Sequence, residues 1–312
     1  MTSGMAERLR MGQLVPDIIS ISWGWNEAMQ CDIAGCNSST AYVKRANEEL
    51  MKLALQGITV VVSSGDAGCH GRTDENCADN RTRAVFPGGS PYVLSVGGTF
   101  MHSDGTVNHT TSPYCRTNDC IASRSSEDVS SFDTVGWTSG GGFSQLEPRM
   151  AFQSDHVDAY LAYMDTLSTK PVFARTGRAY PDIAAVSHNF AIVLGGDVMF
   201  VDGTSASAPL VAGMLAHIIA ATGRRLGLVA PMLYSKTVAS SFHHPGSENS
   251  SNACTEETCV GCVGFTAGPD ALPWNPVFGL GTISMTTKKT GQHHEQSTVV
   301  EKVRKATRTC WK

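Results

Sequence analysis

Short β-branched runs alternate along this chain with longer stretches whose apolar residues recur at helical spacing. Residues 17–22, which follow Pro16, read as a buried parallel strand that ends before Gly24. Ser39 and Thr40 can cap a helix, in which Val43, Ala46, Leu50, Leu53 and Ala54 share one face and which Gly57 ends. Residues 58–62 read as a second central strand that breaks at Ser63-Ser64-Gly65-Asp66. Strand, helix and strand make a right-handed crossover unit. Further along, the pattern predicts a strand at 92–96 and a short amphipathic helix at 155–167. A hairpin is expected from 190–194 and 198–201 around Gly195-Gly196. Residues 204–221 are apolar nearly all round, which predicts a buried helix. The whole reads as α/β, one domain over 1–287 followed by a tail over 288–312.

Composition narrows the class. Hydrophobic residues make up 41% and charged residues 17%, which excludes a disordered chain. A net charge of −4 gives no pull toward nucleic acid or an anionic membrane surface. The tail holds seven Lys/Arg against two Glu, a local +5 that leaves −9 on the rest, and reads as a solvated appendage with helix possible near 295–308. No uninterrupted apolar run reaches the roughly 18–20 residues of a membrane span. No secretory leader opens the chain. Yet there are 10 cysteines, mostly in close pairs, and sequons at Asn37, Asn80, Asn108 and Asn249. Together they point to an exported or vesicular compartment, with the export signal upstream of Met1, rather than to a cytosolic protein with free thiols. Only Cys259/Cys262 has zinc-type spacing, and one tight pair does not make a zinc site.

Four local motifs carry chemistry. Gly203-Thr204-Ser205-Ala206-Ser207-Ala208-Pro209 opens the apolar helix. A serine there lies beside backbone N–H groups and the positive end of the helix dipole, a place suited to an oxyanion; the plain alternative is a Ser N-cap with proline in the first turn. Ser64-Gly65-Asp66-Ala67-Gly68 follows a central strand, where open α/β sheets bind ligands. A buried carboxyl at that position can stay protonated and donate a hydrogen bond, whereas an ordinary Asp would simply make a turn. Ser20-Ile21-Ser22-Trp23-Gly24 and Ser139-Gly140-Gly141-Gly142-Phe143 offer backbone edges on which an extended peptide can pair.

The order of these motifs, with Tyr180-Pro181-Asp182-Ile183-Ala184-Ala185 placed before the last, resembles the sedolisins, the serine-carboxyl peptidases. The resemblance covers roughly residues 14–283. It implies a subtilisin-like fold, a mostly parallel central sheet with helices on both faces. It makes Ser205 the nucleophile of a serine-type acid peptidase and Asp66 the protonated oxyanion-hole donor. Ser22, Trp23, Gly24, Ser64, Gly65, Ser139, Gly140, Gly141 and Thr204 would contact a peptide substrate. The implied reaction is attack on a peptide carbonyl through an acyl-enzyme, in a tripeptidyl aminopeptidase-like manner, with peptides or proteins as partners and a lysosomal, acidic-vesicle or secreted location.

The family's general base is a Glu with an Asp one turn later, lying well before the Ser20 strand. No such pair stands there: Glu7 is followed at position 11 by Met11, and Glu75/Asp79 falls inside a Cys loop after Asp66. The chain is therefore expected to lack its base and to be inactive as it stands, and the rival reading is a non-catalytic peptide-binding relative. A His-dependent subtilase would carry His in an HGT-type motif, and none of the ten His does. The family also implies a structural calcium, whose carboxylate positions match His244 and Asn275 here, with Asp270 nearby. By the same resemblance Cys69 would pair with Cys259 and Cys254 with Cys262; Cys31/Cys36 and Cys115/Cys120 are extra pairs, expected to bridge locally.

Overall fold

In chain order the elements are β1 (Ile18–Ile21), β2 (Trp25–Asn26), α1 (Ser39–Leu55), β3 (Thr59–Ser63), β4 (Val85–Phe86), β5 (Leu94–Ser103), β6 (Ser125–Val129) and β7 (Gly142–Pro148). They are followed by α2 (Ser154–Thr166), β8 (Gly177–Tyr180), β9 (Ile183–Val186), β10 (Phe190–Leu194), β11 (Asp197–Val201) and α3 (Thr204–Thr222), with single helical turns between. This is a computed structural model, and it describes residues 15–77, 79–103 and 125–283. Glu7, the Asn108 sequon, Cys115, Cys120, Cys310 and the basic tail lie outside those residues.

The main sheet runs β1-β3-β5-β6, and β9 also pairs with β5. β1, β3, β5 and β9 are parallel, and β6 alone runs antiparallel. β3 shows why helices cover both faces. Its side chains alternate: Val61 faces a core shared with Ala208, Val211 and Leu215 of α3 and with Val157, Tyr160 and Met164 of α2. Val60 and Val62 face the other way, onto Val43, Leu50 and Leu53 of α1. Each fully buried aliphatic side chain of this kind is worth about 1.5–3 kcal/mol of transfer free energy. The arrangement is the α/β, mostly parallel, subtilisin-like sheet expected from the sequence.

Local expectations hold where the pattern was long. Ser38, rather than Ser39 or Thr40, caps α1, its Oγ accepting from the Ala41 N–H at 3.3 Å. The β10–β11 hairpin closes at Leu194 against Asp197, with Gly195 (φ 63°) and Gly196 (φ 98°) in the left-handed conformations that a two-residue primed turn requires. β1 is parallel as expected but only half-buried, because β3 is its one neighbour among the described residues. α3 is also covered on one side only. Val211, Leu215 and Ile218 face the sheet, while Pro209, Gly213, Ala216 and Ala220 are exposed. An all-apolar pattern removes the polar face without supplying a second partner. By length and composition α3 could cross a membrane, but it lies packed against β1, β3, β5 and β9.

The cysteine pairing corrects the expected one. Cys31–Cys36 forms locally as expected, but the other bonds among the described residues are Cys77–Cys262 and Cys254–Cys259. Cys69 is a free thiol in the main core, 1% exposed, and burial pushes its pKa up to about 12. Its side chain packs among core residues. Because Cys259 and Cys262 are both in disulfides, neither is a thiolate for zinc.

Tyr180-Pro181-Asp182 earns its place through a buried ion pair. Arg178 and Asp182 are both 0% exposed, and Nη2 lies 2.6 Å from Oδ2. The same oxygen accepts from the Ser95 N–H at 2.8 Å, and Tyr234 donates to Oδ1 at 3.2 Å. Arg178 Nε donates to the Ser90 carbonyl at 3.1 Å. The pair joins β5, β8, β9 and the chain around Tyr234. Removing one partner leaves an unpaired buried charge, at a cost of about 3–5 kcal/mol. Asp182→Ala is expected to lower unfolding stability by that amount in urea, and an unchanged midpoint would remove this pair as an organiser of the fold.

Candidate active site

The carboxyl ends of β1 and β3 and the N-terminus of α3 meet at one cleft of about 280 Å³, lined among others by Ser22, Trp23, Gly24, Gly65, Asp66, Arg72, Thr204 and Ser205. β3 ends at Ser63, and the chain turns through Gly65 (φ 114°) to present Asp66. Asp66 Oδ1 accepts from both the backbone N–H and the Oγ1 hydroxyl of Thr204, each at 2.7 Å. Thr204 Oγ1 in turn accepts from the Gly65 N–H at 3.1 Å. Thr204, wholly buried, thus locks the end of β3 to the start of α3.

Gly203 makes that contact possible. It is the N-cap of α3 at φ 105°, and a Cβ there would sit 2.9 Å from Asp66 Oδ2. The other carboxyl oxygen, Oδ2, has Arg72 Nη2 at 3.4 Å. Burial raises the pKa of Asp66 above its ordinary 3.8, and the Thr204 hydrogen bonds and Arg72 pull against it.

Ser205, the second residue of α3, is tied to β1 by a reciprocal pair. Its Oγ donates to the Ser22 carbonyl at 3.3 Å, and Ser22 Oγ donates to the Ser205 carbonyl at 2.7 Å. Pro209 explains the second bond. It lies inside the helix, not in its first turn, and has no N–H to give to the carbonyl four residues back. That carbonyl is Ser205's, and the Ser22 hydroxyl takes the vacant place. No carboxylate or imidazole among the described residues accepts a hydrogen bond from Ser205 Oγ. Asp79 is engaged with Arg83, at 2.9 Å, and Glu75 sits in the Cys loop, so neither serves as a base.

The structure brings Ser22, Trp23, Gly24, Gly65, Asp66, Thr204 and Ser205 together around the cleft, with Trp23 55% exposed at its wall. Ser64 and Ser139 are fully buried behind it. Gly140 donates its N–H to the Gly65 carbonyl at 2.8 Å, and a Cβ on Gly141 would meet the Pro276 carbonyl oxygen. The glycine run therefore braces the end of β3 from behind rather than lining the cleft.

Residues 3–226 match the model of the subtilase family. The chain belongs to the subtilase family. Within it, the chain is 34% identical to physarolisin of Physarum polycephalum over 279 residues, 86% of this chain and 48% of that protein. It is 33% identical to human tripeptidyl-peptidase 1 over 275 residues, 86% of this chain and 42% of that one. The chain thus spans just under half the length of these relatives. The solved structure of Pseudomonas sedolisin superimposes with a TM-score of 0.65 at 24% identity, covering 99% of this chain and 69% of that one. The sedolisin resemblance read from the motif order is what these relatives show.

The residues matching the calcium positions do not fit the ion. Asn275 Oδ1 already accepts from the Val277 and Phe278 N–H groups at 3.0 and 3.1 Å. The His244 ring lies against Phe278, with centroids 5.4 Å apart, and burial lowers its pKa. A ring nitrogen and an amide oxygen already in use are not the oxygen set a hard cation takes.

The motif reading passed over two features of this subtilase. Arg72 and Glu256 stand over Asp66 on separate Cys loops, 184 residues apart in sequence, so no local spacing joins them. Glu27, 1% exposed, accepts from Ser144 Oγ at 2.6 Å and from the Gln145 N–H. It pins the segment after Gly24 to β7. Burial raises the pKa of Glu27 above its ordinary 4.5. The folded chain therefore holds this proton more tightly than the unfolded chain does. The stabilisation is complete below pH 4.5 and is lost as pH rises through the folded value. Thermal unfolding from pH 4 to 7 is expected to show a fall in stability that Glu27→Gln flattens; an equal slope in both proteins would exclude Glu27 as a source.

Proposed function

We propose that this chain carries the nucleophile and the oxyanion-binding half of a serine-type acid peptidase acting on peptides. The observation that supports this most is the shared cleft in which Ser205 lies beside Thr204, and Thr204 holds a buried Asp66 by two hydrogen bonds. Oδ1 is occupied by those two donors, so a proton on Asp66 rests on Oδ2. From there it can be given to the carbonyl oxygen of a peptide as Ser205 Oγ attacks the carbonyl carbon. As the C–N bond breaks, the Ser205 hydroxyl proton ends on the leaving amine and Oδ2 recovers its proton when the carbonyl re-forms; water then hydrolyses the acyl-enzyme and restores the Ser205 hydroxyl. A protonated Asp ties the reaction to acid pH, which suits an acidic, oxidising compartment; Asn37, Asn80 and Asn249 are all exposed, as glycan acceptors must be. Release of tripeptides from free N-termini is the finer activity to which the relative named tripeptidyl-peptidase 1 points.

Ser205 Oγ rests on the Ser22 carbonyl and has no base within the described residues. That observation favours a second reading, in which this chain binds peptides in the cleft and turns over nothing by itself. One experiment separates the two. A tripeptide amide of a fluorogenic amine, its N-terminus free, is incubated with the 312-residue chain near pH 4–5, the range about the carboxyl pKa values. Turnover abolished by Ser205→Ala and reduced about 10²–10³-fold by Asp66→Ala supports the peptidase. Turnover unaffected by Ser205→Ala overturns it. Peptide binding without turnover, weakened by substitution of Trp23, supports the second reading.

On the metal, we infer that the region of His244 and Asn275 is held by its own hydrogen bonds and not by calcium. EDTA is expected to leave the melting temperature unchanged, and added calcium to leave it equally unmoved. A drop of several degrees on chelation would restore the calcium site.

A further inference from the structure

Arg72 and Glu256 form an ion pair at the rim of the cleft, with Arg72 Nε donating to Glu256 Oε1 at 2.8 Å. The other arm of the same guanidinium reaches Asp66 Oδ2 at 3.4 Å. The two loops that carry them are joined along their length. Cys77–Cys262 staples one to the other, and Cys254–Cys259 closes the turn that bears Glu256. Thr255 Oγ1 donates to the Glu75 carbonyl at 3.1 Å, and His70 Nε2 lies 3.0 Å from the Val263 carbonyl. Gly68 passes so close to the Cys254 carbonyl that a Cβ would meet it at 2.2 Å. The loop that carries Arg72 is therefore held beside the loop that carries Glu256 by a framework outside the cleft.

The charged groups acting on Asp66 among the described residues are these two, and they oppose each other. Arg72 favours the carboxylate and Glu256 disfavours it. Both are partly exposed, with 43% of the Arg72 side chain and 33% of the Glu256 side chain accessible, so their influence is screened but not lost. Because Oδ1 is taken up by Thr204, the guanidinium addresses the one oxygen that can carry a proton into the cleft.

We propose that Arg72 is a positioning residue for Asp66, and that its sharing between Glu256 and Asp66 Oδ2 sets the pH above which the cleft loses its hydrogen-bond donor. The inference rests on the reading of Asp66 as that donor. Drawn toward Glu256, the guanidinium leaves Asp66 protonated into mildly acid conditions. Released from Glu256, it closes on Oδ2 and makes the carboxylate, which repels an oxyanion.

The test reads Asp66 directly and needs no turnover. The whole chain is labelled with ¹³C at the aspartate side-chain carboxyl, the Asp66 resonance is assigned by its absence from Asp66→Asn, and its midpoint is followed from pH 2.5 to 8. Arg72→Gln is expected to move the midpoint up by about 0.5 or more on the pH scale. Glu256→Gln is expected to move it down, and Arg72→Lys to keep it near the wild-type value by retaining the charge. Opposite displacements from the two halves of one ion pair cannot arise from a loosened loop, which would shift both the same way. Equal midpoints in all three variants, or displacements of the same sign for Arg72→Gln and Glu256→Gln, would overturn the proposal. Peptidase assays of Ser205→Ala remain a separate matter: a chain without turnover that still shows the opposed displacements keeps this inference and fails only the catalytic reading.

Discussion

Thr204 is the joint on which the site turns. Its N–H and hydroxyl both go to Asp66 Oδ1, its hydroxyl oxygen receives the Gly65 N–H, and it is wholly buried. A parallel sheet gathers its strand ends at one edge, but the sheet alone does not fix how a helix entering that edge is rotated. Here the rotation is set by hydrogen bonds. Thr204 binds α3 to the end of β3, and the reciprocal Ser22–Ser205 pair binds it to the end of β1. With both in place, the residue after Thr204 faces the cleft and no other side.

The helix pays for one of these bonds with its own hydrogen-bond ladder. Pro209 leaves the Ser205 carbonyl without an intrahelical donor, and the hydroxyl from β1 fills the gap. Meanwhile Gly203, in a conformation that side chains rarely adopt, lets the Asp66 carboxyl lie against the helix start. These are the small-residue and proline positions of the Gly203–Pro209 motif, and each has its reason in a distance. Below them, the buried Arg178–Asp182 pair fixes β8 and β9 against β5, so the sheet that presents the strand ends is itself held by charge as well as by packing.

How much of this was legible in the sequence depended on reach. The helices over Ser39–Leu55, Ser154–Thr166 and Thr204–Thr222 and the Gly195-Gly196 hairpin were legible because periodicity and turn chemistry are local. β7 and β8 were not: Gly142 opens one, and Arg178 in the other looks like a surface residue until Asp182 is seen beside it. Ser205 and Asp66 stood out because each sits in a short motif at an element end. Arg72, Glu256 and Glu27 did not, since each acts on a partner more than a hundred residues away, or through loops whose cysteines allow several pairings. The exposed side of α3 and the half-buried β1 were misjudged for one reason. Apolar composition tells which residues tolerate burial, whereas coverage depends on which neighbours are present.

Cys69 carries a consequence for how the chain matures in an oxidising environment. Burial pushes this thiol up to about 12, so it stays protonated at neutral pH, and thiolate is the form that attacks disulfides. Once the core has closed around it, this sulfur can no longer exchange with the neighbouring Cys254–Cys259 and Cys77–Cys262 bonds. Packing thereby protects the odd cysteine from scrambling the very bridges that keep Arg72 in place.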